Sequence, residues 1–445
     1  MFNREFDIWP TFFKPTKKTS TSNKHFAVDI ERYDYQGAGI GFNNKKLVFV
    51  EGALVGEKVL VQPTETKSKF IRAKLIKVQQ KSDARREPFC PHFDKCGGCS
   101  LQHMPYQTQL EVKQQAFKKL MSKLAPSVEL SSIIQGDERG YRRRSRISLR
   151  WNPKSQQLEF GFRQGKSNQI VSIDQCPVMS PNLQGLLAPA RATLSSLSQP
   201  RNLGHLELVD ADNTQVVLLR TTEELKVADK EAMLEFAKAH QVSLYLHQGK
   251  TEPEIVHGDA PVCSETGSEL SFLPTDFIQV NRSVNQQMVS EAISWLDVQA
   301  SERVLDLFSG IGNFTFPIGK LSSKVIGIEG VQEMVDRASH NATKLGVENA
   351  EFYQANLADL NGNEEWSKQG FDKILLDPAR AGAQGIVEQL GQFNASKIVY
   401  VSCNPSTLAR DSESLLEQGY KISKMRVLDM FPQTGHLESM VLFEK

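Results

Sequence analysis

From about residue 285 onward, short apolar runs alternate with amphipathic stretches long enough to be helices. The runs are E-R-V-L-D-L-F, K-V-I-G-I-E, A-E-F-Y-Q-A, F-D-K-I-L-L-D and K-I-V-Y-V-S. A last run, S-M-V-L-F-E-K, follows the loop F-P-Q-T-G-H-L-E. Strands this apolar need cover on both faces, and the intervening helices supply it. The pattern predicts a Rossmann-like, doubly wound parallel sheet over residues 276–445. Such sheets bind ligands outside the carboxyl ends of their strands, which is where chemistry-bearing residues are sought first.

The remainder of the chain is patterned differently. At 445 residues it exceeds what one core organises, and two or three domains are expected. Beyond roughly twenty mobile residues, F-A-V-D-I-E-R, K-L-V-F-V, E-K-V-L-V-Q-P and F-I-R-A-K-L-I-K-V alternate apolar with polar positions. Glycine-rich turns separate them, which predicts a small OB-like antiparallel β-barrel over 22–80. Barrels of this kind bind single-stranded nucleic acid, and Lys45, Lys46, Lys67, Lys69, Arg72, Lys74 and Lys77 provide cations for it. Residues 81–275 read as a cysteine-rich loop followed by a β-rich central domain. Between the two lies an amphipathic helix with Leu110, Phe117, Leu120, Met121 and Leu124 as its apolar positions. Six arginines lie between Arg139 and Arg150, and R-S-R-I-S-L-R-W predicts a strand with one cationic face.

The net charge of +1 conceals an asymmetry: residues 1–150 carry 28 Lys/Arg against 15 Asp/Glu, a balance of +13, while the rest carries 25 against 37, a balance of −12. A basic front half joined to an acidic back half points to a polyanion-binding module, with nucleic acid the favoured partner. Hydrophobic residues make up 40% of the chain, too many for a disordered one. No run approaches the roughly 18 apolar residues of a membrane span. The start, M-F-N-R-E-F-D-I-W-P, lacks the cationic flank and apolar run of a signal peptide. A cytoplasmic monomer with no membrane partner is the expectation.

V-L-D-L-F-S-G-I-G-N-F-T, residues 304–315, ends a strand at Asp306 and opens a helix through Gly310 and Gly312. Glycines there let backbone approach a ligand, although Thr315 leaves the dinucleotide fingerprint incomplete. The next strand ends in Glu329, placed to accept from both ribose hydroxyls. NAD and S-adenosylmethionine both suit such a site. D-L-F-S-G-I-G resembles the first motif of the methyltransferase fold. Asn356 in Q-A-N-L-A-D stands in the loop where that fold holds adenine, and L-L-D-P-A-R puts Asp377 and Pro378 at the top of the fourth strand.

The fifth strand ends in Y-V-S-C-N-P, with Cys403 at its carboxyl end. Asn404 suits a helix N-cap and Pro405 the first helical position, so a helix would start beside the sulfur. Its positive end is expected to favour the thiolate. Hydride transfer needs no such thiol, whereas methylation at pyrimidine C5 does. Addition of a thiolate at C6 gives C5 enolate character, and a base must later remove the C5 proton so that the thiolate can leave. Glu438, at the entry to the last strand on the same sheet edge, is the candidate base.

Cys90, Cys96 and Cys99 form C-x5-C-x2-C, with Cys176 in D-Q-C-P far downstream. Four thiolates around a Gly97-Gly98 turn can hold a metal centre. Spacing alone leaves zinc and an iron–sulfur cluster open. Cys263, in P-V-C-S-E, stands outside this spacing pattern and reads as structural or incidental.

D-F-I-Q-V-N (276–281), D-L-F-S-G-I-G-N-F, L-D-P-A-R, V-S-C-N-P-S-T-L-A-R-D and F-P-Q-T-G-H-L-E together resemble the bacterial RNA uracil-5-methyltransferase family, over nearly the whole chain. Within it the similarity is to the branch acting on 23S ribosomal RNA. The resemblance implies an α/β methyltransferase domain, a TRAM barrel and RNA as partner. It implies S-adenosyl-L-methionine contacts at Gln279, Phe308, Asn313, Glu329, Asn356 and Asp377. Cys403 would be the nucleophile, Glu438 the base, and Cys90, Cys96, Cys99 and Cys176 the ligands of a [4Fe-4S] cluster. The barrel separates this branch from the transfer RNA enzymes and from a second ribosomal enzyme, which lack it. An assembly factor with a decayed cofactor site is the alternative of another class, and intact Asp306, Glu329, Asp377, Cys403 and Glu438 argue against it. In this picture the target uridine is extruded between Cys403 and Glu438, while the barrel and the Arg139–Arg150 segment grip RNA.

Overall fold

The computed structural model describes residues 24–249, 252–264, 266–359 and 364–445. The expected mobile start, and residues 22–23 of the barrel boundary, lie outside the described residues.

Strands Phe26–Asp29, Arg32–Tyr33, Gly39–Asn43, Lys46–Val50, Lys58–Thr66 and Phe70–Gln80 form one six-stranded sheet. Its alternate residues Val28, Val48, Val50, Val59, Val61, Ile71 and Ala73 close a small core. The sheet curls tightly because Gly41 has no side chain: a Cβ there would lie 2.2 Å from the Asp29 carbonyl oxygen. Lys45, Lys67, Lys69, Arg72, Lys74 and Lys77 remain exposed, and Arg72 lies over both Phe49 and Phe70.

The central unit is a seven-stranded sheet running from Arg144–Asn152 to Glu254–His257. It also carries helices Leu187–Ser196 and Val227–His240, which the sequence reading did not separate from the strands. Val217, Leu219, Leu244 and Leu246 face those helices. Their strand neighbours Val216, Leu218 and Tyr245 face the other way, against Ile311, Phe316 and Met334 of the C-terminal domain. Period-two alternation thus buries both faces and bolts the two sheets together.

The C-terminal sheet has seven strands in the order Ala350–Gln354, Lys324–Glu329, Arg303–Leu307, Lys373–Leu376, Lys397–Ser402, Glu438–Glu444, Lys421–Leu428. The first five are parallel and the last two pair antiparallel. The expected doubly wound sheet is therefore mixed, with an edge strand, K-I-S-K-M-R-V-L, that the sequence reading passed over. Leu305, Ile326, Ile374 and Ile398 face one helix layer and Val304, Val325, Leu375 and Val399 the other. Ser131 and Ile134 donate backbone N–H groups to Met425 and Val427, which covers the free edge.

Helix Tyr106–Met121 packs Phe117 and Met121 into the C-terminal core rather than the central one. A buried ion pair anchors it, Lys113 Nζ to Asp429 Oδ1 at 2.5 Å, with Tyr106 Oη donating to Asp429 Oδ2 at 2.8 Å. Leu120, expected on the apolar face, is exposed.

Candidate active site

The chain order around strand Arg303–Leu307 reverses direction, and the site lies at that switch point. The turn after this strand is forced: Phe308, Gly310 and Gly312 all have positive φ, of 66°, 56° and 99°. A left-handed phenylalanine is unusual and marks the turn as over-determined by its surroundings. Asp306 is fully buried and accepts from Thr315 Oγ1, while its Oδ1 and the Ser309 hydroxyl have no hydrogen-bond partner among the described residues. Glu329 accepts from the backbone N–H groups of Gly310, Gly330 and Val331 at 2.8–3.1 Å. Asn313 exchanges amide hydrogen bonds with Asn285 at 3.0 Å. Asn356 is exposed after the third strand and accepts from Ala358 N–H.

The strand register brings the other expected residues together. Ser402 pairs with Ser439, so one step further Cys403 faces Glu438. Leu376 pairs with Leu307 and Tyr400, which sets Asp377 at the same edge, with the Gln279 side chain bonded to it. Asn404 caps helix Pro405–Glu417 by accepting from Ser406 N–H at 3.2 Å, as its sequence suggests. The same asparagine donates Nδ2 to the Arg380 carbonyl at 2.9 Å. Asp411 accepts from Ala383 N–H and Tyr400 Oη, which straps the loop carrying Asp377 and Arg380 onto this helix.

The electrostatics overturn one expectation. Cys403 is not held as a thiolate by the helix start: burial, then the negative charges of Glu438 and Asp377, push its thiol up to about 12. Arg380 opposes this at Cys403 and at Glu438. Burial pushes Asp306 and Asp377 up to about 7 and Glu438 up to about 8, and it raises Glu329. Sequence reasoning missed Arg380, although it stands inside L-D-P-A-R. It also missed His436, exposed two residues before Glu438 with its ring against Phe431.

A second correction concerns the arginine run. Arg143 and Arg144 are buried. Arg143 Nε donates to the Gln279 carbonyl at 2.7 Å. Arg144 donates to Glu207 at 2.9 Å, to the Pro274 carbonyl at 2.6 Å and to the Asp276 carbonyl. These two arginines hold residues 274–280, and thereby Gln279, in place, whereas Arg139 and Arg150 of the same run are exposed.

Cys90, Cys96, Cys99 and Cys176 are unoxidised and partly buried. Burial and the neighbouring thiols push Cys99 up to about 12, and Cys176 goes up to about 11. Gly98 N–H donates to Cys96 Sγ, and Arg142 faces both Cys96 and Cys176. Among the described residues, no group of three or more His, Cys, Asp or Glu is close enough to hold a metal ion. No described helix is long and apolar enough to cross a membrane.

The family model described as tRNA (Uracil-5-)-methyltransferase matches residues 105–445, and that of the TRAM domain matches 20–76. The chain is 53% identical over 435 residues to the 23S rRNA (uracil(1939)-C(5))-methyltransferase RlmD of Vibrio cholerae serotype O1 (strain M66-2), covering 98% of this chain and 99% of that one. It is 52% identical to the protein of the same name from Vibrio vulnificus (strain CMCP6), with 98% and 99% covered. The solved structure of Pyrococcus abyssi tRNA (uracil-54, C5)-methyltransferase in complex with S-adenosyl-L-homocysteine matches at TM-score 0.74 over 94% of this chain and 99% of that one. At 24% identity that likeness carries the fold alone. Matched along most of its length by the family model, and more than half identical to full-length relatives, the chain belongs to the tRNA (uracil-5-)-methyltransferase family.

Proposed function

We propose that the protein methylates C5 of a specific uridine in 23S ribosomal RNA, using S-adenosyl-L-methionine and a covalent Cys403–uracil adduct. The observation that carries the chemistry is the register setting Cys403 opposite Glu438 beside Asp377. The substrate is taken from relatives that carry that name at 53% and 52% identity.

Several features support S-adenosylmethionine. Besides burial, neighbouring carboxylates push Asp306 and Glu438 upward, a repulsion that a cationic ligand would relieve and a diphosphate would add to. The orphaned Asp306 Oδ1 and Ser309 hydroxyl leave bonds for a ligand to satisfy. When bound, the cofactor supplies the methyl group and a sulfonium charge. Glu329 would hold the ribose hydroxyls, Phe308 and Asn356 the adenine, and Gln279, Asn313 and Asp377 the remainder.

Cys403 Sγ loses its proton to solvent and bonds to uracil C6, and the electron pair of the C5–C6 double bond moves toward C5 and O4. C5 then takes the methyl group, whose bond to the cofactor sulfur would break and leave that sulfur as a neutral thioether. Glu438 removes the C5 proton, the C5–C6 double bond re-forms, and the C6–S bond breaks to release Cys403 as thiolate. Arg380, facing both groups, lowers the cost of each negative charge.

RNA is gripped by the exposed cations and aromatics of the barrel. Cys90, Cys96, Cys99 and Cys176 hold a [4Fe-4S] cluster in this reading. The four thiols lie near enough to raise one another's pKa values, which is the observation behind this assignment. Purified protein should then contain iron and labile sulfide, and zinc in their place would sink the assignment.

The decisive assay gives labelled S-adenosylmethionine to protein with in-vitro transcribed 23S ribosomal RNA or transfer RNA. Label at C5 of one ribosomal uridine is expected. Label in transfer RNA alone would refute the substrate and leave the chemistry standing.

A further inference from the structure

We infer that Gln433 is a positioning residue for Glu438, through which helix Tyr106–Met121 and the cysteine-rich loop lock the segment that delivers the base. The inference rests on the covalent reading above. Gln433 lies five positions before Glu438, is 1% exposed, and has a left-handed φ of +67°. A non-glycine residue persists in that conformation only where its surroundings over-determine it.

They do so here through every polar group it has. Its N–H donates to Gln109 Oε1 at 3.1 Å, and its Oε1 accepts from Gln109 Nε2 at 3.0 Å. Its Nε2 donates to Glu138 at 3.1 Å. Its carbonyl accepts from Ser100 N–H at 2.9 Å and Leu101 N–H at 3.0 Å, immediately after Cys99. The flanking residues are held from outside the sheet as well. Tyr141 Oη donates to the Pro432 carbonyl at 3.0 Å and Lys113 Nζ to the Phe431 carbonyl at 3.2 Å. A Cβ on Gly435 would lie 2.4 Å from the Gln36 carbonyl of the barrel. Residues 429–437 carry no strand pairing of their own, and Glu438 is the first residue of its strand. Strand pairing with Leu428 fixes Glu438 from one side, and the chain entering it is held chiefly by groups from distant parts of the molecule.

Displacing Glu438 should slow only the step it performs, removal of the C5 proton. In Gln433→Ala, covalent capture of a substrate RNA should proceed as in the unaltered protein. Release should slow about 10- to 100-fold, the usual cost of an ångström-scale misplacement. A protein–RNA adduct stable to denaturation should accumulate, with cofactor affinity unchanged. Gln109→Ala, which removes two of the bonds to Gln433 together with those Gln109 donates to the Leu101 and Met104 carbonyls, should show the same signature. Glu438→Gln is the reference that blocks the step outright. If it traps an adduct and neither glutamine variant does, whatever their loss of activity or melting temperature, the inference is overturned. If Glu438→Gln itself traps none, the covalent reading falls and takes this inference with it.

Discussion

The buried carboxyl of Glu438 should make the protein less stable at high pH, and Glu438→Gln should remove that penalty. Its acidity moves from 4.5 to about 8, chiefly because burial disfavours the charge and Asp377 repels it. A folded-state value above the unfolded one means that its contribution is fully present below the unfolded value and is lost as pH rises through the folded one. The rise from 4.5 to about 8 sets a ceiling of about 5 kcal/mol. That rise already includes the opposing Arg380; the higher effective dielectric of real protein sites lowers the realised penalty to about 1–3 kcal/mol. Glutamine has nearly the same shape and no charge. Urea unfolding of both proteins without cofactor should show little difference at about pH 4 and a more stable variant at about pH 9. The stabilised variant should at the same time be unable to release methylated RNA, a direct exchange of function for stability. A difference that does not depend on pH, or a variant less stable at about pH 9, would refute the view that Glu438 is held at the cost of an unfavourable buried charge.

Cys403→Ala should keep the fold and cofactor affinity but lose both methyl transfer and adduct. With the thiol pushed up to about 12, adduct formation by the unaltered protein should rise about tenfold per pH unit through neutrality, as quench-flow would record. Lys113→Met should cost about 3–5 kcal/mol in chemical denaturation by stranding buried Asp429, and a Lys113→Met/Asp429→Leu double variant should recover most of it. Lys74→Ala should lower the slope of log affinity for RNA against log salt by about 1, because this barrel lysine is exposed. Arg144→Ala should leave that slope alone and lower the melting temperature, since its guanidinium binds Glu207 and two carbonyls.

The features legible in the sequence were the local ones. Asn404-Pro405 announces a helix start by its own chemistry, and Glu329 and Asp377 end apolar runs in the positions where a doubly wound sheet exposes side chains. What escaped depends on sums over distant segments. A buried arginine looks like an exposed one in sequence, and the partners of Arg144 lie 63 to 132 positions away. The helix start beside Cys403 was visible. Burial outweighs it, together with the carboxylates of Glu438 and Asp377 that arrive from distant parts of the chain. Helix Tyr106–Met121 has an ordinary apolar stripe, and only the Lys113–Asp429 pair, 316 positions apart, shows which core it joins. The edge strand Lys421–Leu428 did carry a period-two pattern, weakened by three cations on its polar side.

The most direct test of the account is to let the protein act on 23S ribosomal RNA substituted with 5-fluorouridine, whose C5–F bond the base cannot cleave, and to digest the trapped complex. The account predicts a methylated fluorouridine nucleotide on the tryptic peptide spanning residues 398–410, attached at Cys403. Attachment to any other peptide, or methyl transfer without a covalent complex, would contradict it.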